Sequence, residues 1–170
     1  MATIGIIITT IGEPAFDGGK PPVRPYVPPP LSDAAIRAAK NIVNVARDRP
    51  SRASSEADDH PARLANNADS TTAWHAADTD SDPWWQVDLE GFYQISGSKI
   101  VFASEANWRY VIQLSSEGVQ WTTAVDRSQT VRSDAARSDI YPPGAVARYV
   151  RVRGVSQVRE VEVYGVLSVR

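Results

Sequence analysis

The sequence predicts an all-β domain that follows an extended N-terminal arm, and three observations support this. Short runs of alternating apolar and polar residues recur, glycine- and proline-containing turns separate them, and helical periodicity is almost absent. In the motif WWQVDL at residues 84–89, Trp85, Val87 and Leu89 alternate with Gln86 and Asp88, as in a strand with one buried face. Short strands at this spacing are typical of a β-sandwich or barrel. The candidate strands are 42–46, 52–55, 85–89, 93–102, 110–115, 123–126, 147–152 and 158–164.

Residues 1–40 form the predicted arm. Residues 3–11 are rich in β-branched residues and predict a strand that ends before Pro14, whereas 13–30 carry repeated prolines and predict an extended segment. The segment is either a linker or, because an apolar strand lies at its far end, an assembly arm. As an arm it would join a homo-oligomer or a larger protein assembly through residues 1–30.

Residues 32–40 predict a short helix between the arm and the domain. Ser32 or Asp33 can cap its N-terminus, alanines favour the helix, and Lys40 suits its C-terminal end. We interpret this helix as a spacer, followed by the domain at 41–166 and a C-terminal tail at 167–170.

Within the domain, the strand at residues 85–89 is predicted to be central and to end at Gly91. Trp74, Trp85 and Trp121 are predicted to lie in the core because large aromatic side chains contribute most to burial. Residues 116–118 (Ser-Glu-Gly) predict a hairpin-type turn.

Composition excludes several classes of function. The 170 residues suffice for one sizeable core, the net charge is only −2, and cysteine is absent. No global field would therefore recruit nucleic acid, and disulfides and thiolate metal sites are excluded. No apolar run is long enough to insert into a membrane, and no basic residue precedes the apolar residues 4–8, so we predict no conventional signal peptide.

Enzyme motifs are missing as well. Neither His60 nor His75 lies in a nucleophile-elbow context, and no phosphate-binding glycine loop occurs. The aspartates at 78, 80 and 82 lack the glycine and distal glutamate of a helix-loop-helix calcium site. The arginines of the C-terminal half alternate with acidic or strand residues, which favours a solvated sheet face over a nucleic-acid site. These motifs therefore favour no enzyme class, although the two opposed carboxylates of a glycosidase would not be recognisable from sequence.

Residues 65–74 (ANNADSTTAW) crowd carbonyls, a carboxylate, amides and hydroxyls into one turn. Such oxygen groups can surround a hard cation, as calcium requires. The alternative is a loop that is closed by its own hydrogen bonds and binds no metal.

Six motifs in order produce a family resemblance: ASSE at 53–56, the turn at 65–74, WWQVDL, YVIQLSSEGVQW at 110–121, ARYVRV at 147–152 and EVEVYG at 160–165. The chain resembles the discoidin, or coagulation factor 5/8 type C, family, especially its galactose-binding-like carbohydrate-binding relatives attached to glycoside hydrolases. The resemblance covers about residues 41–166. It implies a galactose-binding-like jelly-roll β-sandwich whose loops bind ligands at one end without catalysis.

The resemblance also implies a structural calcium ion. By position, its ligands would be Asn67, Asp69, Thr72 and Glu160, together with backbone carbonyls that include Ala65. Asn67 stands where an aspartate is usual, so the site loses one formal charge and calcium should bind more weakly. Ala68 stands where a glycine is usual, and alanine disfavours a left-handed backbone.

Sugar recognition is the second chemistry that the sequence offers. A sugar presents an apolar ring face and a rim of hydroxyls, which suit an aromatic plate beside planar polar groups. His75 follows Trp74, like the pair of similar galactose-binding modules in which the histidine bonds a sugar hydroxyl. Asn107, Trp108 and Arg109 lie on a loop where relatives place ligand contacts. The acidic residues 78–82 replace an aromatic of those relatives.

Each of these residues also has a structural interpretation. His75 could be a solvent-exposed loop residue, Trp108 a hydrophobic plug over the end of the sandwich, and Arg109 a partner in a surface salt bridge with Glu105. The sequence alone does not choose between the two sets of roles.

Two functions remain. The first is a non-catalytic, galactose-binding-like carbohydrate-binding module that binds a glycan through His75, Asn107, Trp108 and Arg109 and is displayed on a larger assembly by its arm. The second is a structural or decorating subunit of a particle such as a phage virion, with the sandwich as an exposed adhesion knob. Both predict an extracellular or particle-surface location.

Overall fold

Nine strands account for most of the secondary structure in residues 41–105, 108–130 and 134–168, the part of the chain that the computed structural model describes. In chain order they are β1 (Val43–Asn44), β2 (Ser51–Ala53), β3 (Trp74–His75), β4 (Trp84–Phe102), β5 (Val111–Ser115), β6 (Thr122–Asp126), β7 (Ala136–Ile140), β8 (Val146–Arg153) and β9 (Gln157–Leu167). A single 3-10 turn, Ala62–Ala65, follows β2 within these residues. The all-β prediction is confirmed, and the predicted arm at 1–40 lies outside the described residues.

The longest strand, β4, differs from the prediction of two strands separated at Gly91. It runs without interruption for 19 residues. Glu90, not a glycine, adopts the left-handed backbone with φ of 58°, and its amide donates to Asp88 Oδ1 at 2.8 Å. The pairing register with β8 shifts between Asp88 and Tyr93. The strand therefore bends at this point and continues instead of ending.

This bend divides the strands into two layers. The first half of β4 pairs with β2 and β8, and β8 continues through β5 to β6. The second half pairs with β9 and β7, and β9 also pairs with β1 and β3. The apolar sides of the two layers enclose the core, as in galactose-binding-like sandwiches.

The registers also define the two ends of the sandwich. Trp84 pairs with Arg153 and Phe102 pairs with Val158, so both ends of β4 lie beside the β8–β9 connection. We call this the loop end, and the connections at 54–73 and 76–83 and the described residues 103–105 and 108–110 lie there too. The opposite end, which we call the terminal end, carries the bend of β4, the β5–β6 hairpin, the connection at 141–145, the start of β1 and the end of β9.

The core confirms two of the three predicted tryptophans. Trp74 and Trp85 are fully buried, and their indole nitrogens donate to the carbonyls of Ser55 and Ala62. Trp121 is only half-buried, so that prediction is wrong. It lies on the outer face of the sheet, where the Arg151 guanidinium is sandwiched between its ring at 3.9 Å and the ring of Trp84 at 4.5 Å.

Strand β7 was not predicted, because its pattern is the reverse of an amphipathic strand. Its polar residues Arg137 and Asp139 point inwards and are buried, whereas Ile140 is 88% exposed. Asp139 accepts a hydrogen bond from the Tyr110 hydroxyl at 2.6 Å and one from Arg127 Nε at 2.8 Å. This pairing satisfies a carboxylate that would otherwise be costly to bury.

Candidate functional site

A cavity of about 380 Å³ lies at the loop end, and we call it the histidine cavity. His75 follows buried Trp74 on β3 and so faces away from the core. Its imidazole stacks on that of His60, with ring centroids 3.9 Å apart and planes within 4°. His60 Nδ1 lies 3.0 Å from the carbonyl oxygen of Ala73, which fixes the pair. The lining residues are Asp59, His60, Leu64, Thr71, Thr72, Ala73, His75, Ala103, Gln157 and Arg159.

The stacked pair keeps His75 neutral near pH 7. Partial burial lowers its pKa below the usual 6.5, and the neighbouring His60 lowers it further. A neutral imidazole carries one N–H donor and one acceptor nitrogen, so it can either donate a hydrogen bond to a hydroxyl group or accept one from it.

We expect an NMR titration to give His75 a pKa below 6.5 and the variant His60→Asn to raise that pKa towards its usual value. The unfolded chain binds the proton at higher pH than the folded protein does. The free energy of unfolding should therefore fall as the pH drops from about 6.5 through the lowered pKa. An unchanged His75 titration in His60→Asn would contradict the coupling between the rings.

Arg159 forms one wall of the histidine cavity. Its Nη1 donates to the carbonyl of Ser70 at 3.3 Å and its Nη2 to the carbonyl of Ala103 at 3.2 Å. These main-chain contacts hold the guanidinium in place without neutralising it. Arg159 and Ala103 also line a neighbouring cavity of about 260 Å³ that includes Phe102, which we call the Phe102 cavity.

The loop predicted to carry Asn107, Trp108 and Arg109 is only partly described, because Asn107 lies outside the described residues. Trp108 is half-buried and stacks on Phe102 with ring centroids 5.5 Å apart, and its indole nitrogen donates to the Ser104 carbonyl at 3.0 Å. These contacts agree with a plug over the sandwich end. Arg109 is exposed. Of the predicted residues that the structure describes, His75 lines the histidine cavity, whereas Trp108 and Arg109 do not.

Gln157 and Arg159 complete the histidine cavity but were not predicted. The two-residue strand β3 pairs with the start of β9, which sets His75 opposite Gln157. Only a prediction of β3 and of its pairing with β9 could have identified these residues, because local spacing cannot relate residues that lie 82 positions apart.

The predicted calcium loop lies beside the histidine cavity and is closed partly by its own hydrogen bonds. Asn67 Nδ2 donates to Thr72 Oγ1 at 3.0 Å, and the Thr72 hydroxyl donates to the Asp69 carbonyl at 3.0 Å. The Asp69 carboxylate accepts from the Thr71 hydroxyl at 2.6 Å and from the Thr71 amide at 2.9 Å, and these bonds lower the pKa of Asp69. Ala68 adopts the left-handed backbone at φ 60°, so the loop keeps the conformation that a glycine would favour.

Glu160 faces this loop from β9. Its Oε2 accepts from the Ala68 amide at 3.1 Å, whereas its Oε1 is buried without a hydrogen-bond partner. Burial raises the pKa of this carboxyl to about 7. The described residues hold no cluster of three or more His, Cys, Asp or Glu side chains arranged for a metal. A hard cation bound between Glu160 and the predicted loop ligands Asn67, Asp69 and Thr72 would satisfy the free oxygen, and this metal site stays a prediction.

Residues 50–164 match the family model of the F5/8 type C domain. The chain belongs to the F5/8 type C domain family. A search of curated protein sequences returned no significant match to this F5/8 type C domain. No helix in the described ranges is both long and apolar enough to cross a membrane.

Solved structures similar to this F5/8 type C domain include carbohydrate-binding modules. Chitosan-binding module 1 of a chitosanase/glucanase from Paenibacillus sp. IK-5 is 26% identical with a TM-score of 0.66, over 72% of this chain and 99% of that one. CpGH89CBM32-6 from Clostridium perfringens is 23% identical with a TM-score of 0.65, over 72% and 99%. A fucose-binding module from Streptococcus pneumoniae is 20% identical with a TM-score of 0.61, over 72% and 94%. These similarities confirm the galactose-binding-like sandwich.

Proposed function

We propose that this F5/8 type C domain is a non-catalytic carbohydrate-binding module whose glycan binds in the histidine cavity. The observation that carries this proposal is the stacked His60–His75 pair facing a fixed Arg159 in one open cavity at the loop end. The similarity to a chitosan-binding module supports the class of ligand. Glycoside hydrolysis by a carboxylate pair is disfavoured because the described lining of the cavity combines two imidazoles with one carboxylate, that of Asp59.

The polar side chains of the cavity can form hydrogen bonds with the hydroxyl groups around a sugar ring. Neutral His75 can donate or accept one hydrogen bond, and the Gln157 amide can do both. Arg159 can direct further N–H groups at hydroxyl oxygens, because its two observed contacts use only part of its five donors. Leu64 and Ala73 supply apolar contact for the ring. A second sugar unit could continue past Arg159 into the Phe102 cavity.

The test is calorimetric titration of the full chain with chitotriose, fucose and N-acetylglucosaminyl-galactose. It compares His75→Ala and Arg159→Ala in the histidine cavity with Arg109→Ala and Trp108→Ala outside it. We expect His75→Ala and Arg159→Ala each to weaken binding about 10-fold or more, as expected for the loss of a hydrogen bond worth about 1.5 kcal/mol. Arg109→Ala should change it less than about twofold, because Arg109 lies outside the histidine cavity.

Full binding by the first two variants, with a loss in Arg109→Ala or Trp108→Ala, would move the site to the loop at 107–109. Wild-type protein that binds none of these sugars, nor any member of a broad glycan array, would overturn the proposal. Melting curves of each variant separate lost binding from lost folding.

The finer predictions stay open beside this proposal. Display through residues 1–40, the role of a virion decoration subunit, the galactose preference and the extracellular or particle-surface location all stay predictions. The arm on which the first two depend lies outside the described residues. Deleting residues 1–30 would separate the roles, because glycan binding should survive while any oligomer is lost.

A further inference from the structure

The outer face of the layer formed by β2, β4, β8, β5 and β6 carries a row of polar side chains. Strand pairing aligns them across the layer in the order Arg52, Gln86, Arg151, Gln113 and Thr123. The residues that flank this row on β4 and β8 are buried and apolar, so the row points away from the core. Trp84 and Trp121 lie on the same face, because both indole rings contact the Arg151 guanidinium. We call this region the Arg151 surface, and it comprises Arg52, Trp84, Gln113, Trp121 and Arg151.

The two tryptophans of the Arg151 surface differ from the other three in their indole N–H groups. Trp74, Trp85 and Trp108 each donate this hydrogen to a main-chain carbonyl. Within the described residues, the indole nitrogens of Trp84 and Trp121 have no hydrogen-bond partner, and neither nitrogen is sealed from solvent. Two N–H donors are therefore directed at solvent beside the Arg151 guanidinium.

Arg52 and Gln113 add further free polar groups. Arg52 is exposed and forms no ion pair or side-chain hydrogen bond with another described residue. The Gln113 amide is half-buried and likewise has no side-chain hydrogen bond in the described part of the chain. With five N–H groups on Arg52 and one on each indole, donors outnumber acceptors. The surface therefore suits a ligand that is rich in acceptor oxygens.

Positive charge is concentrated at the Arg151 surface. Among the described side chains, no carboxylate pairs with Arg52 or Arg151, and Arg151 instead donates from Nη2 to Gln86 Oε1 at 2.9 Å. The pKa of Arg151 is lowered, first by its partial burial and then by the charges of Arg153 and Arg52. An anion bound beside these guanidinium groups would offset their mutual repulsion.

We propose that the Arg151 surface is a second glycan-binding site, which takes a sugar that bears a carboxylate, such as a sialic or uronic acid. The planar Arg52 guanidinium would bind the carboxylate through two parallel hydrogen bonds. The two indole N–H groups and the Gln113 amide would bind oxygens of the same sugar. Arg151 adds charge and holds both rings in place. The surface shares no residue with the histidine cavity, so this proposal does not depend on the function proposed for that cavity.

The margins of the surface favour a single acidic sugar over a nucleic acid. Asp82 and Asp88 flank it along β4, where they pair with Arg153 and Arg148. A nucleic acid gains affinity by placing several successive phosphates against basic side chains. The two flanking carboxylates would repel such a repeating anion, whereas one carboxylate can bind between them.

An NMR titration of the full chain tests this proposal through the indole N–H resonances. The probes are 3′-sialyllactose and a disaccharide that ends in glucuronic acid, and the uncharged controls are lactose and the methyl ester of sialyllactose. We expect at least one acidic probe to shift the Trp84 and Trp121 resonances while those of buried Trp74 and Trp85 stay in place. The probe that does so identifies the class of acid. The methyl ester should bind about 10-fold more weakly or less, because it lacks the charge.

Arg52→Ala should weaken binding of the acidic probe about 10-fold or more without affecting folding, since Arg52 is exposed. Trp121→Phe keeps an aromatic ring beside Arg151 but removes the N–H group, so we expect binding to weaken about fivefold. The matched control is Arg63→Ala, which removes an exposed arginine outside both sites and should leave the affinity unchanged. Melting curves confirm that each variant is folded.

Four results would overturn the proposal. The first is the absence of Trp84 and Trp121 shifts with both acidic probes, and the second is equal shifts with the uncharged controls. The third is loss of these shifts in His75→Ala, which would place the acidic sugar in the histidine cavity. The fourth is binding of sulfated lactose or of a thymidine oligonucleotide at these two indoles in place of the carboxylate sugars. Failure of the histidine cavity to bind glycans would leave the shifts intact, so the two proposals fail separately.

Discussion

Asp139→Ala is expected to lower the free energy of unfolding by about 3 kcal/mol, because it breaks a buried charge pair. The Asp139 side chain is 1% exposed and accepts from both the Tyr110 hydroxyl and the Arg127 guanidinium. Removing the carboxylate leaves the buried tyrosine hydroxyl without an acceptor, and that donor then carries its full desolvation penalty. Arg127 is 43% exposed and can turn to water, which keeps the estimate at the lower end of the range for buried pairs.

Urea unfolding checks this value, with two companion variants. Tyr110→Phe removes only the hydroxyl and leaves the Asp139–Arg127 pair, so a loss of about 1 kcal/mol is expected. Asp82→Ala removes an exposed ion pair with Arg153 and should have a much smaller effect than Asp139→Ala. Equal losses in Asp82→Ala and Asp139→Ala would show that the buried network contributes nothing beyond a surface pair.

Calcium is expected to raise the melting temperature by about 5–10 °C when it is present at about 100 times its dissociation constant. The physical reason is the buried Glu160 Oε1, which has no hydrogen-bond partner and faces a loop rich in oxygen donors. A cation bound there would stabilise only the folded state, since the loop at 67–72 and Glu160 are 88 or more positions apart in the chain. Differential scanning calorimetry with added calcium and with chelator measures the shift.

Glu160→Gln should abolish this shift, because an amide supplies no negative charge to the ion. The control is Glu162→Gln, two residues along β9, where the carboxylate instead contacts Lys99 and Tyr164. That variant should keep the full response. Magnesium should give a much smaller shift, because it retains its water shell and prefers a tighter octahedral site. If millimolar calcium left the melting temperature of the wild-type protein unchanged, this result would contradict the predicted metal site.

The strands with regular alternation could be predicted from the sequence, and those without it could not. The buried faces of β8 and β9 follow from Val150 and Val152 and from Val161 and Val163, which alternate with polar residues. Strand β7 reverses this pattern because its inward Asp139 pairs with Tyr110 and Arg127 rather than with apolar groups. The bend in β4 coincides with Glu90, which adopts the left-handed backbone and donates its amide to Asp88, whereas the glycine at 91 suggested a stop.

Only those residues of the candidate site that belong to a recognisable local motif could be predicted from the sequence. His75 is recognisable from its tryptophan neighbour, and the turn at 65–74 is recognisable from its oxygen donors. The partners of His75 in the histidine cavity come from distant segments, because β3 pairs with β9 and thereby sets Gln157 beside it. Arg159 reaches the cavity through contacts with Ser70 and Ala103, which no spacing rule relates to it. Pairing between distant strands, rather than local propensity, decides which loops meet.

The strand β4, which crosses from one layer to the other, determines how the sandwich unfolds. Its two halves pair with β8 and with β9, so neither layer can lose its central strand while the other remains intact. The domain should therefore melt as a single cooperative unit, without a stable half-unfolded intermediate. Because these pairings join residues far apart in sequence, refolding should be slow relative to helical domains of similar size.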